Sequence, residues 1–258
     1  MTAEAPRATR SWRIGERVLA DGLVAAAILA WWLWSLRLPD FVLPNPWQVT
    51  KALLALFVTP SLLADTAAST LRVVVAVAVA LLLGGALALI PYRWPVADAI
   101  VRDRITPFLN AFPSVGWAIL GMVWFGTTNF AVVFIEVAIL TPFCLVNLSE
   151  GLKELDGELL EMAGSFTRDR RRILLKIVLP MLLPYAMSSA RIAYGVAWKI
   201  ALVAELFGVS TGLGYVMLKA EIVSDAATVY ATCFAIVVLF LAGEKFVLDP
   251  LSRLVAYK

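Results

Sequence analysis

Residues 152–180 read LKELDGELLEMAGSFTRDRRRILLKIVLP and form the longest polar stretch of the chain, between two long apolar runs. Asp156 has the side chain of a helix N-cap. Apolar residues then recur every three or four positions, at Leu159, Met162, Ala163 and Phe166. This spacing predicts one short amphipathic helix, and a second helix is predicted to begin with Thr167 as its N-cap. The two helices are expected to meet at an angle near Thr167.

Two interpretations of this stretch are open. It is either a solvated loop that carries basic residues on the cytoplasmic side of a membrane, or a structured element that contacts a partner. The apolar stripe favours the second interpretation, because a short amphipathic helix in the cytoplasm buries its apolar face on a membrane surface or in a groove of another protein.

The composition around this stretch is that of a membrane protein. Of the 258 residues, 61% are hydrophobic and 16% are charged, whereas a soluble domain is about half apolar and about a quarter charged. Apolar spans of about 20 residues explain the difference. We therefore predict an all-α polytopic membrane protein with about six transmembrane helices. The predicted spans cover residues 18–36, 70–91, 106–126, 129–148, 180–208 and 227–248.

Histidine is absent from the sequence, and the cysteines are limited to Cys144 and Cys233. Imidazole-held haem or zinc, histidine proton relays and Ser-His-Asp hydrolysis are therefore excluded. Both cysteines lie in apolar runs and are predicted to be buried hydrophobic residues. We expect no metal, no bound cofactor and no catalytic site in this chain.

Basic residues predict the orientation in the membrane. With the N-terminus inside, most of the 22 Lys and Arg residues fall on the cytoplasmic side, so both termini are expected there. The net charge of +3 is therefore expected to reflect basic residues that lie next to anionic lipid, and it does not indicate binding of nucleic acid. We divide the chain into a tail (1–17) and one transmembrane domain (18–258) with a cytoplasmic region at 149–179. The first span follows basic residues as in a signal peptide, but its length and its lack of a cleavage site favour an uncleaved anchor.

The spacing within 152–180 resembles the EAA motif, EAA-x3-G-x9-I-x-L-P, of the membrane subunits of binding-protein-dependent ABC importers. Glu161-Met162-Ala163 is followed after three residues by Thr167, and after nine more by the segment 177–180, IVLP. Met162 replaces the first motif alanine, and Thr167 replaces the motif glycine, which permits a turn. An N-cap at Thr167 is expected to serve the same purpose.

Segments 43–53, 110–126 and 197–215 are similar to the permeases of the nitrate, sulfonate, taurine and bicarbonate group. This resemblance implies the type I ABC importer permease fold in a bacterial inner membrane, and transport of a small anionic solute. The implied partners are a second permease copy, two ATPase subunits that hold ATP and Mg, and an extracytoplasmic solute-binding protein. The resemblance does not fix the solute.

The chain has no Gly-Lys dipeptide and hence no phosphate-binding loop of the P-loop type. ATP hydrolysis is therefore expected on a partner, and this chain is not expected to be an enzyme. In the family, the EAA helix seats in a groove of the ATPase subunit. The resemblance assigns this coupling to the segment from Glu158 to Phe166, with Glu161 as the polar contact and Ala163 as the small residue that permits close approach. The packing residues are Leu159, Met162 and Phe166.

Ionisable residues at membrane depth are costly and mark solute pathways. Glu136 and Lys199 lie at similar depths in the fourth and fifth predicted spans, so they are expected to meet. They are either a structural ion pair, or Lys199, with Arg191 deeper in the span, offers positive charge to an anionic solute. Glu205 lies nearer the outer mouth and is either part of an outer gate, as the resemblance implies, or an interfacial carboxylate.

Two other classes of function compete with an importer subunit. A secondary transporter is the main alternative, since it would need no ATPase, but such proteins usually contain an internal repeat and the two halves of this chain show no convincing one. An integral membrane enzyme is disfavoured, because without histidine or clustered carboxylates in the spans no catalytic constellation can be built.

Overall fold

A computed structural model describes the backbone of residues 10–94, 97–155, 157–167 and 169–256. Side chains are described for residues 19–91, 94, 97–155, 162–167, 169 and 171–254. Throughout these ranges the chain is helical, with short turns and no β-strand. The helices are α1 (Arg10–Ser35), α2 (Pro46–Val58), α3 (Pro60–Arg93), α4 (Ala97–Ile100), α5 (Thr106–Ala111), α6 (Ser114–Phe125), α7 (Asn129–Lys153), α8 (Gly157–Phe166), α9 (Arg170–Ile173), α10 (Leu179–Gly208), α11 (Leu213–Ile222), α12 (Ala226–Gly243) and α13 (Asp249–Ala256).

The predicted all-α polytopic membrane fold is confirmed. Among the described residues, four helical segments are long and apolar enough to cross a membrane: Pro60–Pro91, Asn129–Lys153, Arg171–Gly208 and Ala226–Leu254. The first predicted span corresponds to the shorter apolar helix Leu19–Ser35. The second span begins ten residues earlier than predicted, because residues 60–69, PSLLADTAAS, mix polar and apolar residues and extend the helix beyond the continuous apolar run.

The third predicted span, 106–126, is not one helix. Helical segments Ala97–Ala111 and Ser114–Phe125 meet at an angle of 85°. Phe112 between them is extended, with φ −70° and ψ 125°, because the following Pro113 disfavours the α conformation of its predecessor and has no N–H to donate. The prediction of a single straight span is therefore wrong at this proline.

Three wide π turns each directly precede a proline. In each turn one backbone N–H reaches back five residues: Thr106 to Val101, Leu179 to Leu174, and Asp249 to Glu244. The residues that follow these donors are Pro107, Pro180 and Pro250. A proline lacks the N–H that closes a regular turn, and its ring collides with the carbonyl four residues before it. The wider turn makes room for the ring, so the helices continue through the prolines.

The core of the molecule lies where α7 packs against α3 and α10. Small buried residues line these contacts, among them Ala76, Ala80, Ala197 and Ala201. Such residues let membrane helices approach closely. Gly84 on α3 lies very close to the backbone of α7, since a Cβ added there would lie 2.6 Å from the Cβ of Cys144 and 2.8 Å from the backbone nitrogen of Leu145.

We expect Gly84→Ala to destabilise the protein by about 1–3 kcal/mol, because the added methyl group pushes α3 away from the backbone of α7. Thermal unfolding of the purified protein in detergent measures this loss. The neighbouring Gly85→Ala is the matched control, since its Cβ would meet only the flexible end of Leu148 at 3.4 Å. Equal melting temperatures for the two variants would contradict this packing.

Candidate functional site

The first of the two predicted short helices is observed as α8. Ala163 is buried at 5% exposure, whereas Met162 is 53% and Phe166 is 85% exposed. Glu158, Leu159 and Glu161 lie on this helix, but their side chains, and the expected N-cap Asp156, are outside the described residues. Helix α8 therefore presents two large apolar side chains outward, beside one small buried residue.

The turn after α8 is capped differently from the prediction. The Asp169 carboxylate accepts hydrogen bonds from the backbone N–H groups of Arg171 (3.0 Å) and Arg172 (3.3 Å). The Thr167 hydroxyl instead accepts from the N–H of Asp169 at 3.2 Å. Asp169 is thus the N-cap of the second helix, and the prediction of Thr167 as its cap is wrong by two residues. The Asp169 carboxylate is the side chain that reaches the free N–H groups of that helix.

A groove of about 470 Å³ separates α8 from the beginning of the next long helix. Its apolar walls include Met162, Phe166, Ile173 and Ile177, and the cations Arg172 and Lys176 also line it. The exposed apolar residues of α8 therefore border a concave surface. Such a surface can receive a side chain from a partner protein.

A second polar site surrounds Arg72, whose side chain is 5% exposed. Its guanidinium donates five hydrogen bonds. Two go to Asn129 Oδ1 (2.5 and 3.1 Å), two to Thr211 (2.6 and 3.0 Å) and one to Glu205 (2.5 Å). Every N–H of the guanidinium is thereby used, which is the condition under which a charge is tolerated away from water. We call Arg72, Glu205, Ser69, Asn129 and Thr211 the Arg72 cluster.

The Arg72 cluster also holds the N-terminus of α11 against α3. Three successive backbone N–H groups donate to side chains: Gly212 to Asp65 (2.9 Å), Leu213 to Ser69 (2.8 Å) and Gly214 to Glu205 (3.0 Å). These donors have no partner within their own helix. Gly212 has φ 107°, and a Cβ there would lie 2.6 Å from both Arg72 Nη1 and Glu205 Oε1. Only glycine combines this conformation with so close an approach.

Glu205 is fully buried, so the interpretation as an interfacial carboxylate is wrong. Besides Arg72 and Gly214, it accepts hydrogen bonds from the Ser69 hydroxyl at 2.7 and 2.8 Å. The carboxylate therefore joins α3, α10 and α11 at one point. Its role in an outer gate stays a prediction.

Glu136 and Lys199 do not meet. Glu136 is 0% exposed, and neither of its carboxyl oxygens has a hydrogen-bond partner among the described residues. Lys199 lies on the exposed side of α10, whose neighbouring residues Ala197, Trp198 and Ala201 form the buried face. The predicted ion pair is therefore wrong: the two residues have similar depths, but helical phase turns Lys199 away from α7.

Arg191 links α10 to the last part of the chain. It donates to Asp249 at 2.6 Å and lies 3.7 Å from Glu244. Two carboxylates thus balance its charge, which leaves little positive charge there to offer a solute. Its predicted role beside Lys199 in the solute path stays a prediction.

Arg72 is absent from the functional residues predicted from the sequence, because it lies at the beginning of a predicted span (70–91) rather than at membrane depth. A signal for it existed: Arg72 stands at the head of an apolar run, TLRVVVAVAVALLL (70–83), where an ionisable residue needs a partner. Ser69, Asn129 and Thr211 carry no comparable signal, since isolated hydroxyl and amide side chains are common in any helix or loop.

These features define a class of protein: an α-helical, multi-pass membrane protein in which a buried polar cluster joins helices from both halves of the chain. Residues 80–248 match the family model described as the binding-protein-dependent transport system inner membrane component. The chain belongs to this family. It is thus an inner-membrane permease of the ABC transporter type, as the sequence resemblance predicted.

Several curated relatives agree with this assignment. The chain is 28% identical over 218 residues to the taurine transport system permease protein TauC of Escherichia coli, covering 81% of this chain and 78% of the relative. It is 30% identical over 233 residues to a putative ABC transporter permease protein of Methanocaldococcus jannaschii, covering 86% and 85%. A shorter match, 31% over 120 residues, is to the putative aliphatic sulfonates transport permease protein SsuC of Escherichia coli, covering 46% and 45%.

We expect Glu205→Ala to lower the free energy of unfolding by about 3–5 kcal/mol, because it leaves the buried Arg72 charge without its carboxylate. The exposed pair of Arg191 and Asp249 supplies the control, since Asp249→Ala should cost no more than about 1 kcal/mol. Chemical or thermal unfolding of the purified variants measures both. Similar losses for the two variants would show that burial does not strengthen the Arg72 pairing.

Proposed function

We propose that this chain is the permease subunit of an ATP-driven importer, which carries a small anionic solute from a solute-binding protein into the cytoplasm. In this proposal two copies form the transmembrane path, and two ATPase subunits supply ATP hydrolysis. The relatives named for taurine and aliphatic sulfonates support a sulfonate-like anion as the solute class. Both termini and α8 face the cytoplasm in this arrangement, as the basic residues predict.

A continuous helical segment connects the groove beside α8 with the Arg72 cluster, and this connection supports the proposal. Arg171–Gly208 has 38 residues, so it is about 57 Å long at about 1.5 Å per residue. Near its beginning it borders the groove beside α8, and near its end it carries Glu205. A displacement of α8 would therefore tilt this helix and pull on the Arg72 cluster.

The surface of α8 supports its role as the contact with the ATPase. Met162 and Phe166 are exposed large apolar side chains within the chain's longest polar stretch, and burial in a partner's groove would remove them from water. Glu161 supplies the polar contact in this proposal, and Ala163, which is small and buried, permits the close approach of α8 to the groove of its own chain. The conformational change that ATP drives in the ATPase subunits is then transmitted to the membrane-spanning helices through this contact, with no nucleotide bound by the permease.

We expect Glu161→Lys and Ala163→Asp to abolish solute uptake while membrane insertion stays normal. The first reverses the charge of the polar contact, and the second places an unpaired carboxylate in a buried position, which costs several kcal/mol. Uptake by whole cells, with the amount of permease in the membrane determined by immunoblot, measures the effect.

Arg253→Asp is the matched control, because it reverses a charge on an exposed residue of α13, at the end of the chain predicted to be cytoplasmic. It should retain uptake close to that of the unchanged protein. If Glu161→Lys or Ala163→Asp retained solute-stimulated ATP hydrolysis and uptake, the coupling role of α8 would be refuted.

Lys199 is the candidate cation of the solute path, since it is exposed on a membrane-spanning helix and such charges face a cavity or a partner rather than lipid. We expect Lys199→Met to reduce uptake of an anionic solute about tenfold, comparable to the loss of one charge-assisted hydrogen bond. Lys199→Arg keeps the charge and should retain most uptake. Equal uptake by both variants would remove Lys199 from the path.

A further inference from the structure

Glu136 on α7 is unexplained by the function proposed above. Its side chain is completely buried, and both carboxyl oxygens lack a hydrogen-bond partner among the described residues. An ionised carboxylate in such surroundings is strongly disfavoured, whereas a neutral carboxylic acid is tolerated. Because no part of Glu136 reaches the surface of this chain, a second permease copy cannot pair with it unless the helices move.

The register of α3 against α7 places Arg72 nearer the beginning of α7 than Glu136 is. Arg72 contacts Asn129, and Gly84 packs against Cys144, so the two helices run parallel with an offset of 57 to 60 residues. Arg72 therefore lies level with residues 129–132 of α7, four to seven residues before Glu136. This separation is about one to two helical turns, or about 6–10 Å, which an extended arginine and a glutamate side chain bridge together.

Helical phase also favours this encounter. Asn129 and Glu136 are seven residues apart, close to two full turns, so they lie on nearly the same face of α7. Arg72 already contacts that face through Asn129. A rotation of the Arg72 side chain toward the middle of the membrane therefore carries its guanidinium along α7 to Glu136.

Among the described side chains, the other ionisable groups on the helices that pack on α7 are engaged with other partners or turned away. Helices α5 and α6 contain none. On α10, Lys199 is exposed on a different face, the Tyr194 hydroxyl donates to the carbonyl of Leu239 at 2.9 Å, and Glu205 is held by Arg72. On the same helix, Arg191 donates to Asp249 at 2.6 Å and the Tyr185 hydroxyl donates to Glu154 at 2.6 Å. On α3, Asp65 accepts from Gly212. Arg72 is therefore the cation, among the described residues, that can reach Glu136 along this face.

We propose that Glu136 is a proton-binding site inside the membrane, with Arg72 as the cation that displaces its proton. While Arg72 is paired with Glu205, Glu136 carries a proton and is neutral. When α10 and α11 withdraw from α3, Arg72 moves from Glu205 to Glu136. The O–H bond of Glu136 then breaks, its proton passes to water that has entered the opened outer end, and the resulting carboxylate pairs with the guanidinium. Return of Arg72 to Glu205 restores the O–H bond with a proton from the same water.

Infrared difference spectroscopy on the purified permease, without ATPase or solute, tests the resting protonation state. The carbonyl stretch of a buried carboxylic acid should be present in the unchanged protein and absent from Glu136→Gln. Glu150→Gln is the matched control, because Glu150 is an exposed carboxylate on the same helix, and it should keep the band. Loss of an ionised carboxylate band in Glu136→Gln, with no carboxylic acid band, would overturn the proposal.

Uptake by the complete transporter tests the displacement step, which rests on the proposed importer function. Lowering the external pH should slow uptake by the unchanged complex, by up to about tenfold per pH unit for a single released proton. Glu136→Gln should show a flat pH profile, with uptake about tenfold lower in the range where the unchanged complex is fastest, because Arg72 then lacks its second carboxylate.

The variants Glu136→Gln and Glu150→Gln are compared in the same vesicles. Identical pH profiles for Glu136→Gln and the unchanged complex would overturn the proton site, even with normal transport. Failure of the unchanged complex to transport any solute would instead count against the importer function, and the infrared result would still decide the protonation of Glu136.

Discussion

The buried charge of Arg72 is the constraint on which the arrangement of the helices depends. A guanidinium removed from water needs an acceptor for each of its five N–H groups and a carboxylate for its charge. No single helix offers that set. Asn129 comes from the beginning of α7, Glu205 from α10, and Thr211 from the loop before α11. The pairing of one side chain thus fixes how four helices meet.

Close packing below the Arg72 cluster makes this meeting rigid. Alanine and glycine residues bring α3, α7 and α10 together, and the contact of Gly84 with Cys144 sets the register of α3 against α7. The wide turn before Pro180 keeps the segment Arg171–Gly208 helical despite its prolines. A rigid helix that begins beside α8 and ends in a polar cluster transmits displacement with little loss, whereas a flexible loop would absorb it.

Much of the fold could be predicted from the sequence because the membrane imposes a simple rule: apolar runs of sufficient length become helices. The short helix α8 could be predicted from the spacing of Met162, Ala163 and Phe166, whereas the second predicted short helix is the beginning of the long segment Arg171–Gly208. The wrong predictions within single segments have local causes in individual side chains. Pro113 breaks the third span at 85°, and Asp169 rather than Thr167 caps the second short helix.

The candidate site was less predictable, because its members are far apart in the sequence. Arg72 and Glu205 are separated by 133 residues, and no spacing rule connects them. Depth along a helix can be counted from the sequence, which is why Glu136 and Lys199 were expected to meet. Helical phase relative to a neighbouring helix depends on tertiary packing, and here it turns Lys199 outward and leaves Glu136 in the core.

In the proposed transport cycle, α8 and the Arg72 cluster move together. Electron–electron double resonance, which measures the distance between two spin labels, tests this motion directly. The labels are attached to cysteines introduced by Leu71→Cys on α3 and Ile222→Cys on α11, both exposed positions. Cys144→Ala and Cys233→Ala remove the native thiols. We predict that the distance between the labels increases when the ATPase subunits bind ATP, and that Ala163→Asp on α8 abolishes the increase. A distance that is unchanged by ATP, or that changes equally in Ala163→Asp, would contradict this coupled motion.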